Sequence, residues 1–263
     1  MTSYISTDID GPIAVVTLNR PDKHNAFDDS LIADLTETFK ALDSNSAVRV
    51  IVLSAAGKSF SAGADLNWMK RMATYSEEEN FRDASALAGL MRTLHGLSKP
   101  TIARVQGPAY GGGVGLIACC DMAVGTHDAA FALSEVRIGL IPAAISPYVI
   151  AAIGERAAHR YFLTGERFDA AEGYRLGLLT ELMPTEDAMD DKLEELAGAI
   201  LLSSPSAIAE AKQLVAAVAN KPIDGRLSTD TAQRIARVRV SAEGREGVSA
   251  FLEKRKPTWS PEK

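Results

Sequence analysis

Cysteine is nearly absent: the 263 residues hold two, Cys119 and Cys120. They are adjacent within an apolar run, where a mutual disulfide would be strained. A disulfide scaffold is excluded, and the usage fits a reducing cytoplasm. Histidine is scarce as well, with His24, His95, His127 and His159 scattered without ligand spacing. Neither H-E-x-x-H nor G-x-S-x-G occurs, so metal and serine hydrolase chemistry lack support and no metal is expected. The absence of G-x-x-x-x-G-K-[ST] removes the case for a nucleotide triphosphatase. Positive charge is in deficit, 28 Lys and Arg against 34 Asp and Glu, for a net charge of -6. A nucleic-acid surface would need clustered Lys and Arg, so no nucleic-acid partner is expected, and a phosphate-bearing ligand needs a local basic cluster. Long apolar runs are missing too. The most apolar stretch, 114–124, is broken by Asp121 and falls short of the ~18 residues of a membrane helix. Residues 1–10 lack the basic start and apolar centre of a secretory signal. A soluble, cytoplasmic protein with no membrane partner is the expectation. At 46% hydrophobic and 24% charged residues, the chain can bury a core.

Residues 12–19 (PIAVVTLN) and 48–54 (VRVIVLS) are rich in β-branched side chains between turn formers, which predicts two strands. Between them, Leu31, Leu35, Phe39 and Leu42 share one face of a helix predicted over 29–42. A third strand is expected over 101–106, with shorter ones at 121–125 and 130–133. Strands alternating with helices predict an α/β architecture. From about Asp187 the chain turns rich in Ala, Leu, Glu and Arg at helical spacing, over 192–202, 205–219 and 230–254. A core over 1–195 and a helical region over 196–263, packed on the core or on a neighbouring subunit, is therefore expected.

Three segments can carry chemistry. Residues 60–66 (FSAGADL) form a glycine-containing turn after a strand, where backbone N–H groups can face a ligand; a plain strand-to-helix turn has the same pattern. In 107–121 (GPAYGGGVGLIACCD) glycines lead into an apolar helix, whose free N–H groups and positive dipole end favour an anion or a developing oxyanion. Gly113, Gly115 and Ala118 also fit G-x-G-x-x-A, with Glu135 placed 20 residues after Gly115. Against a dinucleotide site, these glycines do not directly follow a strand and lie mid-chain rather than in an opening βαβ unit. Glu135, in LSEVRIG, is an acid among apolar residues; burial would raise its pKa and make it a proton carrier, whereas an ion pair with Arg137 or a solvated loop would not.

Together, LNRPDKHNAF (18–27), FSAGADL, GPAYGGGVGL, SEVRIGLIP (134–142), LTGERFDAAEGYRLGLL (163–179) and EGREGVSAFLEKRKPTW resemble the crotonase superfamily, the enoyl-CoA hydratases and isomerases, over essentially the whole chain. The resemblance implies a spiral of ββα units with a C-terminal helical trimerisation region, trimers or hexamers, and an acyl-CoA thioester as substrate. Ala64 and Gly112 match the two backbone donors of the family's oxyanion hole. Lys23, His24, Ala26, Ala62, Asp65 and Leu66 match positions along the CoA nucleotide, mostly through backbone contacts. Phe251 and Lys254 match positions that approach CoA from the tail, of the same or of a neighbouring subunit, with Lys254 supplying local positive charge.

One departure from the family pattern bears on the chemistry. Typical hydratases carry two catalytic glutamates; the first position here is Gly115, leaving Glu135 alone. A single glutamate resembles the Δ3,Δ2-enoyl-CoA isomerases. FSAGADLNWM, GLIPAAISPYVI in place of a glycine-rich P-G-x-G-G-T, and the tail are most similar to the bacterial 3-methylglutaconyl-CoA hydratases, then to isohexenylglutaconyl-CoA hydratases. The expectation is hydration of a branched glutaconyl-type ester, with Gly115 leaving room for the branch and avoiding repulsion of its distal carboxylate. CoA is then part of the substrate and no cofactor is required. An RNA-binding or scaffold member of the family is the non-enzymatic alternative, disfavoured by the acidic charge.

Overall fold

The structure is a computed structural model describing residues 4–260. The chain divides into two compact units: one runs to Leu97 and resumes over Thr101–Glu194, the other comprises Ser98–Pro100 and the chain from Glu195 onward.

In the first unit, β1 (Ile5–Asp10) and β2 (Ile13–Leu18) make an antiparallel hairpin. β2 buries Ala14, Val16 and Leu18 on one face, as a half-covered strand does. Helix α1 (Asp29–Ser44) begins at Asp28, whose carboxylate accepts the Leu31 N–H, and buries Leu31, Ile32, Leu35, Phe39 and Leu42. β3 (Val50–Ala55) is buried at every position, the mark of a strand covered on both faces. Helices α2 (Leu66–Met72) and α3 (Glu77–His95) follow, then β4 (Thr101–Val105), β5 (Ala109–Tyr110), α4 (Gly112–Cys119), β6 (Met122–Thr126) and β7 (Ala130–Ala132). After a 3₁₀ turn over Glu135–Ile138 come α5 (Ser146–Thr164), β8 (Arg167–Asp169), α6 (Ala170–Leu176) and β9 (Glu181–Met183).

Six strands form one sheet in the order β1-β2-β3-β4-β6-β9, parallel except for β1; β5, β7 and β8 form a small second sheet. Because β2, β3 and β4 are parallel neighbours, the segments that follow them, 19–28, 56–65 and 106–111, all leave from the same edge of the sheet. That shared edge is where an α/β sheet collects ligand-binding loops.

The sequence pattern missed β1, a strand with one buried residue, Ile5, and therefore no apolar alternation. In the second unit, where α7 (Glu186–Leu201) ends, lie α8 (Pro205–Val218), α9 (Gly225–Val240) and α10 (Ala242–Leu252). The single helix expected over 230–254 is thus two. The break falls at Ser241, which leaves the helical backbone and accepts the Gly244 N–H at 3.0 Å to cap α10. Among the described residues no helix is long and apolar enough to cross a membrane.

Candidate active site

The three segments from the common sheet edge are joined by short parallel bridges, Phe27 to Ala64 and Ser61 to Ala109. Residues 61–65 alternate, with Ser61, Gly63 and Asp65 buried and Ala62 and Ala64 exposed. Phe27 N–H donates to Gly63 O (2.6 Å) and Asp65 N–H to Phe27 O (2.7 Å), which leaves the intervening Ala64 N–H pointing away from that bridge.

Asn25 underpins the segment. It is fully buried in a left-handed conformation at φ 54°. Its Nδ2 donates to Ala56 O and Ser59 O, both at 2.9 Å, and its Oδ1 accepts the Arg20 N–H at 2.8 Å. The Ser61 hydroxyl donates to Asn25 O at 2.8 Å. Arg20 adds a second tie, donating to Ala26 O (3.1 Å), pairing with Asp28 (2.7 Å) and Asp65 (3.5 Å), and lying 4.2 Å from the Tyr4 ring centre.

The first turn of α4 supplies a second donor. Tyr110 N–H donates to Ser61 O (2.8 Å) and Gly111 N–H to Ala132 O (3.0 Å), so the helix start is tied to the 56–65 segment on one side and to β7 on the other. A Cβ on Gly113 would stand 2.9 Å from Ser61 Cβ, so this approach of α4 to the Ala64 segment requires glycine. Among the described residues neither the Ala64 nor the Gly112 N–H has an acceptor. The Gly112 donor also lies at the positive end of the α4 dipole.

Glu135 opens the 3₁₀ turn after β7 and folds back over Gly111, its Oε1 3.0 Å from where a Cβ on that glycine would be. Its Oε2 is buried and has no hydrogen-bond partner among the described residues. Burial raises its pKa above the ordinary carboxylate range, opposed by its own backbone N–H. A carboxyl group so placed can take up and return a proton, and backbone donors without acceptors can hold an oxyanion.

The other expected site residues separate. Ala62 and Leu66 are exposed beside Ala64, and Ala26 is buried one residue before Phe27. Lys23 and His24 are exposed on the neighbouring turn, where His24 Nδ1 lies 3.1 Å from the Ser59 hydroxyl. The Asp65 side chain is scaffold: it is 7% exposed, accepts the Asn67 and Trp68 N–H groups to cap α2, and faces Arg20. Burial pushes its pKa up, but those N–H groups with Arg20 and Lys23 outweigh it and the net shift is down. Phe251 and Lys254 belong to the second unit, both exposed at the end of α10, and Lys254 makes no ion pair among the described residues.

The reading of Gly115 as room for an acyl branch is corrected. A Cβ there would meet Ile145 Cγ2 at 2.2 Å, so the space is already filled. Asn25, Arg20, Ser61 and Ile145 were not foreseen. The signal for Asn25 was the N-A dipeptide after a turn, since asparagine tolerates left-handed backbone.

The enoyl-CoA hydratase/isomerase family model matches residues 8–262. An enoyl-CoA hydratase from Shewanella pealeana ATCC 700345 superposes with a TM-score of 0.95 at 45% identity, over 98% of this chain and 96% of that one. The mevalonyl-coenzyme A hydratase sidH of Aspergillus fumigatus is 33% identical over 95% of this chain and 92% of its own length. The 2,3-dehydroadipyl-CoA hydratase of Escherichia coli K12 is 30% identical over 94% of both. The chain belongs to the enoyl-CoA hydratase/isomerase family and has its crotonase α/β fold. Within that family it is an enoyl-CoA hydratase, a hydro-lyase of acyl-CoA esters.

Proposed function

We propose that this hydratase takes a branched glutaconyl-type ester, converting 3-methylglutaconyl-CoA to 3-hydroxy-3-methylglutaryl-CoA, as in leucine breakdown in the cytoplasm. The observation that carries the mechanism is Glu135: a carboxylate with a buried oxygen, over the start of a helix, where neither that oxygen nor the Gly112 N–H has a partner among the described residues. The ionised Glu135 takes a proton from water as the hydroxyl oxygen bonds to C3. The π electrons move through C2 onto the thioester oxygen, which Ala64 and Gly112 N–H hold as an enolate. Protonated Glu135 then returns its proton to C2, and the thioester is restored. Each donor of this kind commonly contributes a factor of ~10² to 10³. The thioester is the electron sink, so this route asks for no metal or redox cofactor.

Two features favour the acyl class. The acid-free position at Gly115 spares a distal substrate carboxylate from like-charge repulsion at low dielectric. Two relatives act on acyl groups with one of its features each: a mevalonyl group is branched at C3, and a dehydroadipyl group ends in a second carboxylate. Lys23, His24, Ala26, Ala62, Leu66 and the backbone of Asp65 are proposed to follow the CoA nucleotide; Phe251 and Lys254 are proposed as CoA contacts supplied by a tail, that of the same or of a neighbouring subunit. A homo-oligomer, trimer or hexamer, is proposed because α8 and α9 bury no side chain while Ile223, Phe251 and Leu252 are 93%, 82% and 73% exposed. The test is kcat/KM for 3-methylglutaconyl-CoA, crotonyl-CoA and a 3-enoyl-CoA, followed by absorbance of the conjugated thioester. A preference for the branched diacid of about tenfold or more is expected. Preference for crotonyl-CoA overturns the acyl assignment, and faster formation of conjugated ester from the 3-enoyl-CoA points to isomerisation.

A further inference from the structure

Gly115 and Ile145 interlock. The Gly115 N–H donates to Gly111 O at 3.2 Å, so these two glycines stand one turn apart at the start of α4. The Glu135 carboxylate covers the first glycine, and Ile145 covers the second. Ile145 Cγ2 and Cβ lie 2.2 and 2.8 Å from the place a Gly115 Cβ would take, with Met91 Cε at 3.3 Å. No side chain at position 115 can coexist with Ile145 where it sits. Ile145 is 2% exposed and immediately precedes α5. Between it and Glu135, residues 137–141 are exposed, so this segment is pinned at Pro142 and Ile145.

We propose that Ile145 is a positioning residue for Glu135: seated on the bare Cα of Gly115, it fixes segment 135–145 against α4 and so holds the carboxylate over Gly111. The fit also accounts for a site with one acid, because the volume a second would need is occupied. Charged neighbours do not offer another explanation. α4 and the first turn of α5 carry no charged residue, and Arg137 on the 3₁₀ turn is directed to Thr164 O at 3.5 Å.

Because this rests on Glu135 as proton carrier, Glu135→Gln is assayed beside Ile145→Ala, Ile145→Val, Gly115→Ala and the Gly115→Ala/Ile145→Ala pair, each checked for folding by thermal unfolding. Ile145→Ala is expected to lower kcat about tenfold or more with little change in KM. The acid limb of its kcat profile moves to lower pH, since a loosened 135–145 segment lets bulk water solvate Glu135. Ile145→Val, which keeps the branched contact, recovers most of kcat. Gly115→Ala lowers kcat by displacing Ile145, and adding Ile145→Ala returns part of the loss, as residues in contact are non-additive. Wild-type kcat and acid limb in Ile145→Ala, or independent losses in the pair, overturn the proposal while an inactive Glu135→Gln leaves Glu135 in its role. An active Glu135→Gln overturns both.

Discussion

The Glu135 carboxylate lies over the bare Cα of Gly111, with Oε1 3.0 Å from the point a Cβ would take and Oε2 buried with no partner among the described residues. The fold therefore holds this acid where its charged form is disfavoured, and the linkage has a definite sign. With the folded pKa raised, the contribution of Glu135 to stability is fully present below the ordinary carboxylate range and is lost as pH rises through the raised value. Glu135→Gln should match the wild type in Tm at low pH and exceed it progressively as pH rises. A Tm difference independent of pH would mean the group is not desolvated.

The Gly112 donor can be removed by proline, with alanine as the control for the added side chain. Gly112→Pro lacks the N–H but suits the first helical position, whereas Gly112→Ala keeps the N–H. Both place a Cβ 3.2 Å from Phe27 Cε2, so Ala controls for that contact. Proline should lose about 3 kcal/mol of transition-state stabilisation, read in kcat, beyond any loss in the alanine variant. A change confined to KM would make Gly112 a binding contact.

Lys254→Ala addresses the nucleotide end. The expected signature is a raised KM for CoA esters at unchanged kcat, with KM less sensitive to salt than in the wild type. Equal salt sensitivity in both would exclude a phosphate contact by Lys254.

Asn25→Ala tests the scaffold beneath Ala64. It strips partners from Ala56 O, Ser59 O and Arg20 N–H and leaves alanine at φ 54°. Destabilisation of about 3 kcal/mol or more in urea unfolding is expected. A loss below about 1 kcal/mol would show that the 20–27 segment is held elsewhere.

What could be read before the structure was periodic or local. The Leu31, Leu35, Phe39 and Leu42 stripe is the buried face of α1 because a helix on a sheet must bury one face. The glycine-led start of α4 was legible because glycines directly before an apolar run allow a helix start to pack closely. What escaped depends on contacts distant in sequence. Ile145 reaches Gly115 across 30 residues, and a glycine does not reveal whether its space is open or taken. Asp65 was read only by resemblance, as a position along the CoA nucleotide; that its side chain turns inward to cap α2 and meet Arg20 is a tertiary fact. The Ser241 break was present as a Ser followed by Gly three residues on, but an unbroken Arg and Ala texture concealed it.

The most direct test of a one-carboxylate hydratase is the turnover of Glu135→Gln on 3-methylglutaconyl-CoA, measured beside binding of a CoA ester to the same variant. An amide cannot cycle a proton, so hydration should fall by about 10² or more while the ester still binds. Hydration at more than about a tenth of the wild-type rate would take Glu135 out of the chemistry and contradict the account.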